Sequence, residues 1–312
     1  MMMVRHGSVE SFLVAVARVV PALVVMLALA MSASAQQPLR VYISADMEGL
    51  AGAVSPEQLG PSGFEYQRYR EIMTAEVMAA IEGARAAGAT EILVSDSHGN
   101  AQNILIDRLP DDVRLIRSWP RPLGMMQGID ETFDAVLFVG YHSGATNPAG
   151  VRAHTFSSAN YYAVRLNGEP VPESVFNAAI AGHFGVPVVL ITGDDVTVAE
   201  LQAAVPGVEG AAVKEAISYH SADSMTPAAA QALIRRQAEA AVRNRARVSP
   251  YRLGGPVTLD LTFKNHRPAE LLAFLPIVDR VDARTVRFVA RDMVELAAFM
   301  AFVGGYESGL TP

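Results

Sequence analysis

The residues that could do chemistry sit at the ends of short apolar runs. Val41-Tyr-Ile-Ser-Ala-Asp-Met-Glu-Gly49 closes on two carboxylates, Asp46 and Glu48, two positions apart. Extended backbone points such a pair to one side, where two ionised acids repel unless a cation or a shared proton lies between them. Glu91-Ile-Leu-Val-Ser95 runs into Asp96-Ser97-His98, and Ala135-Val-Leu-Phe-Val139 runs into Gly140-Tyr141-His142. Farther on come His154, and Glu173 just before a helical pattern. The chain has no cysteine, so a metal site must be built from His, Asp and Glu. Asp46, Glu48, His98, His142 and Glu173, with His154 nearby, suit zinc, manganese or cobalt in a hydrolytic site. Five ligands exceed the need of one tetrahedral zinc. A bridging carboxylate would let them hold two divalent metal ions about 3.5–4 Å apart, which polarise a scissile carbonyl and activate a water.

Each residue also has a plainer reading. A strand-end histidine such as His98 or His142 can be a hydrogen-bonded packing residue, and Glu173 can simply favour a helix dipole. Asp46 and Glu48 can be solvated loop acids, and Asp194 and Asp195 can cap a loop. His183 suits the C-terminal end of a helix, and His220 and His266 sit among polar residues, as at a surface or an interface.

The elements that must position these groups decide between the readings. Val41, Tyr42 and Ile43 are β-branched or aromatic, as a buried strand prefers. Phe64 to Ala87 carries Tyr69, Met73, Val77, Ile81 and Ala84 at helical spacing, and Gly88 can stop that helix. Glu91–Ser95 is the next strand. Strand, helix and strand in this order predict a βαβ unit with parallel strands, whose carboxyl ends share one edge of the sheet. Asp46, Glu48 and His98 then converge, and the run ending at His142 brings a third ligand-bearing end to the edge where open α/β sheets bind ligands.

Further along, Val113–Ile116 and Tyr161–Leu166 read as strands, and Asn167-Gly168 as a tight turn. Ser174 is the predicted N-cap of a helix Val175–Phe184 that Gly185 stops. Val186–Thr192 reads as a buried strand. From about Ala211 the pattern changes to a helix (Pro227–Val248), a strand (Val257–Phe263), a helix (Ala269–Leu275), a strand (Thr285–Ala290) and a helix (Met293–Val303). The expected fold is α/β. A mostly parallel sheet with flanking helices occupies 36–210, with the metal site at its strand C-terminal ends, and a smaller C-terminal α+β domain occupies 211–312.

Residues 1–35 read as a secretory signal peptide, with Arg5 and Arg18, an apolar run from Val19 to Met31, and Ala33-Ser34-Ala35 as a cleavage site. That run is shorter than the about 20 residues of a membrane span. No stable span is expected once it is removed, and the product is exported, periplasmic or secreted; an uncleaved anchor counted from Phe12 is the alternative. Without Arg5, Arg18 and Glu10 the 25 basic and 32 acidic residues become 23 and 31, a net charge of −8. An acidic chain with no basic run is a poor partner for nucleic acid or for an anionic membrane surface.

Six elements together resemble one family. They are Ser44-Ala-Asp-Met-Glu-Gly49, Ser95-Asp-Ser-His98, Gly140-Tyr-His142, Gly150-Val-Arg-Ala-His154, Asn177-Ala178 and Gly193-Asp-Asp195. They are similar to the D-aminopeptidase family of dinuclear zinc peptidases, peptidase family M55 of the dipeptide-transport-operon type, and the likeness runs from about Arg40 to Val303. The resemblance implies two zinc ions, with Asp46 bridging them. Glu48 and His98 would complete the ligands of one metal, and His142 and Glu173 those of the other, with His154 as an extra histidine that acts in catalysis. Glu169 is a rival to Glu173; Glu173 is preferred because it directly precedes a helix. The family also forms a ring-like homo-oligomer, a decamer, with its sites facing an internal chamber. The function this implies is an exported metal-dependent aminopeptidase that hydrolyses short peptides, including those with N-terminal D-amino acids. The alternatives are a metal-dependent esterase or amidase on another small substrate, and a non-catalytic periplasmic protein that holds a peptide through its metal.

Overall fold

The structure is a computed structural model and describes residues 38–306. The expected signal peptide and its cleavage site lie outside the described residues. In chain order the elements are β1 (Arg40–Ala45), α1 (Tyr66–Ala86), β2 (Glu91–Asp96), β3 (Val113–Ile116), β4 (Ala135–Val139), β5 (Tyr161–Leu166), β6 (Glu169–Pro170), α2 (Glu173–His183) and β7 (Val188–Asp194). They continue with α3 (Asp195–Ala204), β8 (Glu209–Ser218), β9 (Ser221–Ser224), α4 (Pro227–Arg243), β10 (Val257–Phe263), α5 (His266–Leu272), β11 (Val278–Arg280), β12 (Thr285–Ala290) and α6 (Met293–Gly305).

A seven-stranded sheet has the order β3-β2-β1-β4-β7-β8-β9. Every pairing in it is parallel except that of β9, which runs antiparallel to β8 at the edge. The middle strands read as continuous apolar runs because they are covered on both faces, and β4 (Ala-Val-Leu-Phe-Val) is buried along its whole length. Helices α1 and α4 pack on each other and over β1, β4, β7 and β8. The two helices touch closely at Gly83, where an added Cβ would lie 2.3 Å from the Arg235 carbonyl oxygen. The stripe predicted on α1 is the buried one: Tyr69, Met73, Val77, Ile81 and Ala84 all lie in the core. Gly88, with φ +99°, takes the left-handed turn just past the helix.

A second, five-stranded sheet, β11-β12-β10-β5-β6, is antiparallel throughout. α6 packs on β12 and β10, and Asp292 caps it by accepting from the backbone N–H groups of Val294 and Glu295.

The fold class is the expected one, but the division at residue 210 does not follow the sheets. It falls inside β8, which pairs with β7 in the parallel sheet, while β5 and β6 from the first stretch belong to the antiparallel sheet. From Leu39 the described residues form one compact unit. Strand pairing is non-local, so a composition change near Ala211 marks a change in local pattern and not a boundary of contacts.

Two further expectations shift. α2 begins at Glu173 with Pro172 as its N-cap, so Ser174 lies inside the helix, buried, with its hydroxyl unpaired. Pro172 (φ −72°, ψ 166°) holds the extended entry conformation that an N-cap needs without offering a side-chain oxygen. Asp194 does cap, but it caps the helix α3, accepting from Thr197 N at 2.7 Å.

Candidate metal centre

β1 ends at Ala45, and Asp46 N–H donates across to the Val139 carbonyl of β4, which draws the acidic turn against the end of its neighbour. Gly49 N–H donates to Gly140 O, and the two backbones are so close that a Cβ on Gly49 would lie 1.9 Å from the Tyr141 carbonyl oxygen. A glycine is required there by space. This crossing turns Glu48 toward the loop that carries His142. His98 comes from the turn after β2, held by Asp96, which accepts from Asn103 N, Asn103 Nδ2 and Ile104 N, while Asn103 Nδ2 also donates to His98 O. Glu173 enters at the start of α2. His154 lies on the β4–β5 loop, where Val151 N–H donates to Asp194 Oδ2 and His154 N–H to Ser143 O.

All six predicted groups come together. His98 Nδ1 lies 3.1 Å from Asp46 Oδ1 and 2.9 Å from Glu48 Oε2. His142 Nε2 lies 3.4 Å from Asp46 Oδ2 and 3.3 Å from Glu173 Oε1, and His154 Nε2 is 3.9 Å from that same Glu173 oxygen. The His142 and His154 rings stack at 3.9 Å, 9° from parallel. Asp46 therefore turns one oxygen to each of two donor groups. Ligand atoms of Asp46, Glu48 and His142 lie within 4.8 Å of one another, and so do those of His142, His154 and Glu173. Glu169 takes no part: it is exposed in β6, paired with Leu166 in the other sheet. His183 ends α2 with its ring against Phe184, and His220 donates from Nδ1 to Val54 O.

The donor chemistry tests whether a metal fits. Each imidazole donates one N–H outward to a backbone carbonyl: His98 Nε2 to Leu59 O (2.6 Å), His142 Nδ1 to Ser143 O (3.0 Å) and His154 Nδ1 to Arg152 O (2.8 Å). In the neutral ring the other nitrogen carries a lone pair, and in all three it faces carboxylate oxygens. Lone pair against carboxylate is repulsive unless a proton or a metal lies between, and an outward donation of this kind is what orients metal-bound histidines. Glu48 Oε2 is buried with no well-aligned hydrogen bond, and its near neighbour is the His98 Nδ1 lone pair at 2.9 Å. Donors on metal bonds of about 2.0–2.2 Å are separated by roughly 3–3.5 Å, the spacing found here. The residues fit a divalent cation.

The titration shifts carry the same demand for positive charge. Burial pushes His98 and His142 down, but the facing carboxylates overcome it and hold both well above the usual range. Burial pushes Glu48 up, and the three histidines outweigh it and hold it well below the usual range. Asp46 is raised, first by burial and then by Glu48. His154 is lowered, first by burial and then by the charge of His142.

Sequence reasoning missed two buried charges around this set, Lys214 and Glu76, and read Asp194 only as a cap and a family element. Lys214, on β8, donates to the carbonyls of Glu48 (2.5 Å), Leu50 (3.0 Å) and Ala53 (2.6 Å). Burial pulls it down to about 8, opposed by Asp194, Glu76 and Glu48. Glu76, on α1, accepts from Ala51 N at 3.0 Å. Asp194 holds the His154 loop. Glu76 had a signal: it sits three residues after Met73 and four before Ala80, on the apolar stripe. Lys214 stands among alanines and a valine and is one of two lysines in the chain.

An α/β sheet whose carboxyl edge gathers three imidazoles and three buried carboxylates defines the class of a metal-dependent hydrolase. Comparison with known proteins makes the class specific. A family model described as D-aminopeptidase, peptidase M55, matches residues 39–302. The D-aminopeptidase of Bacillus subtilis (strain 168) is 35% identical over 260 residues, which span 82% of this chain and 93% of that protein. The solved structure of the Zn-dependent D-aminopeptidase DppA from Bacillus subtilis, a self-compartmentalizing protease, superposes with a TM-score of 0.82 at 33% identity, covering 88% of this chain and 99% of that one. The chain belongs to the D-aminopeptidase family, M55, and is a metallo-aminopeptidase of that family.

Glu76 gives a pH test of the buried charges. Burial raises it from 4.5 to about 7, with Ala51 N–H and Lys214 opposing. Between these values the folded state binds more protons than the unfolded chain, so stability falls as pH rises through the window. Glu76→Gln cannot ionise. In metal-free protein its stability relative to the parent should rise by up to about 3 kcal/mol from pH 4.5 to 7.5. Urea denaturation midpoints at the two pH values check this; a difference that stays constant across the window rejects it.

Proposed function

We propose that the chain is an exported aminopeptidase that uses two divalent metal ions, zinc in the first instance, to hydrolyse short peptides, those with N-terminal D-residues among them. The observation that carries the reading is the split carboxylate of Asp46, one oxygen toward His98 and the other toward His142. In this reading Glu48 and His98 would hold one ion, His142 and Glu173 would hold the other, and Asp46 would serve both. The structural relative is Zn-dependent, and the His/carboxylate set with no thiolate suits zinc here. Bound there, the ions supply electrophilic polarisation of the peptide carbonyl and acidify a water.

The chain's own residues supply the rest. His154 Nδ1–H is committed to Arg152 O, so Nε2 carries the lone pair. That nitrogen is placed to take the proton from the attacking water and return it to the leaving amine. Its depressed pKa keeps it neutral, as a base must be. The Phe156 N–H donates to Glu173 Oε1 at 2.6 Å and Met47 N–H to Asp46 Oδ1 at 2.9 Å, which fixes both carboxylates before any substrate arrives. Asp46, Glu48, His98, His142 and Glu173 are all buried, so each charge acts at a low local dielectric.

Export and assembly belong to the same reading. Residues 1–35 have the pattern of a cleaved signal, and among the described residues no helix is long and apolar enough to cross a membrane. A homo-oligomer, a decamer by the family resemblance, is in keeping with a structural relative that is a self-compartmentalizing protease.

Amine release from D-Ala-D-Ala and L-Ala-L-Ala, with and without a chelator, tests the activity. Chelator-sensitive cleavage of the D-peptide is the expected result. Cleavage of the L-peptide alone discards the D-residue assignment, and cleavage of neither by metal-loaded protein moves the function to another substrate or to peptide binding. His154→Ala should lower kcat by about 10²–10⁴-fold with metal content, read by elemental analysis, unchanged; loss of a metal would make His154 a ligand. Protein purified from an exporting host should begin at Gln36 and sediment as a large closed oligomer; a retained N-terminus or a monomer counts against export or assembly.

A further inference from the structure

We propose that Lys214 is a positioning residue for the metal centre: its ammonium clamps the backbone of the 47–53 loop and so sets the Glu48 carboxylate. This rests on the metal-binding reading above and adds a residue from outside the ligand set.

The geometry is that of a cation site with a lysine in it. The carbonyls of Glu48, Leu50 and Ala53 turn toward one point, and the three N–H groups of Lys214 Nζ meet them at 2.5, 3.0 and 2.6 Å. Lys214 is buried, so the ammonium has exchanged its water for these three oxygens. The one intervening N–H with a buried charge as its partner, that of Ala51, goes to Glu76. One loop thus has its carbonyls held by a cation from β8 and an N–H held by an acid from α1. In the β7–β8 register Lys214 stands opposite Asp194, which holds Val151 N–H of the His154 loop. The two halves of the site therefore hang from neighbouring positions at the ends of two paired strands.

Glu48 depends on such a clamp more than the other carboxylate ligands do. Asp46 has the Met47 N–H on its carboxylate and Glu173 has the Phe156 N–H. Glu48 Oε2 accepts no N–H from the backbone, and its near polar neighbour is His98 Nδ1 at 2.9 Å, itself a member of the site, so the protein outside the ligand set positions this side chain through the backbone that Lys214 holds. A methionine would fill a similar space but leave three buried carbonyls without a donor. An arginine would keep the charge, but its planar fork cannot replace a compact ammonium on three converging oxygens.

The test is a Co²⁺ titration of the full protein, followed by visible absorption and by competition with a chromogenic chelator. The parent, Lys214→Met and Lys214→Arg are compared, with circular dichroism and thermal melts to show that each variant is folded. In the folded variants one of the two Co²⁺ ions should bind about 10- to 100-fold more weakly, the other should keep its affinity, and kcat should fall. A purely structural lysine would lower the melting temperature and leave both affinities unchanged, and that outcome overturns the proposal. If Lys214→Met does not fold, Lys214→Arg carries the same comparison. A parent that binds fewer than two Co²⁺ overturns the dinuclear reading itself, and the clamp with it; a parent with two and variants without a change overturns only the clamp.

Discussion

Everything at this site answers to one constraint: three buried carboxylates gathered around the same two imidazoles, His98 and His142. Like charges about 4 Å apart repel by roughly 4 kcal/mol at an effective dielectric of 20, and the whole stability margin of a domain is about 5–15 kcal/mol. Asp46, Glu48 and Glu173 are each at most 5% exposed, so water cannot relieve them. A cation must, and the three imidazoles that turn their free nitrogens inward make the site selective for one that is coordinated. The same geometry that makes the empty arrangement costly is what gives a divalent ion a favourable place.

The fold meets this constraint by distributing its cost. No two of the ligand segments after β1, β2 and β4 are adjacent in sequence, but parallel pairing puts their ends side by side. Each segment is then tied by its own buried polar partners. Asp96 and Asn103 hold the His98 turn, Asp194 holds the His154 loop, and Lys214 and Glu76 hold the Glu48 loop. Below them lies a chain of hydroxyls, with Asn177 donating to Tyr141, Tyr141 to Ser44, and Ser44 bonded to Ser97. These groups pair polar atoms that the turns at the sheet edge would otherwise leave buried and unsatisfied. A metal site of this precision needs such support, because its ligands project from turns, which are less rigid than the strands that feed them.

Much of this was readable from the chain itself. The period of the apolar residues marked β1, β2, β4 and α1 within a residue or two, and the βαβ rule alone put Asp46, Glu48 and His98 on one edge. The ligand types and the absence of cysteine point by themselves to a His/carboxylate metal site. What escaped was non-local. β8 reads weakly, since Glu-Gly-Ala-Ala-Val-Lys alternates poorly, and only pairing with β7 makes it a strand. β5 reads well as a strand, but nothing in Tyr-Tyr-Ala-Val-Arg-Leu says that its partner is β10, about 90 residues later. Glu169 and Glu173 are four residues apart and chemically alike; the turn at Asn167-Gly168 sends one to solvent, and Pro172 starts a helix with the other facing inward.

The sequence by itself therefore determined the local elements, the ligand types and the sheet edge where they meet, because hydrophobic periodicity and the handedness of strand crossovers are properties of short stretches. Tertiary structure alone decided which carboxylate lies between two imidazoles, which imidazole nitrogen faces inward, and that a lysine from β8 holds the loop of Glu48. Those depend on distances between segments far apart in the chain, and only the packed fold sets them.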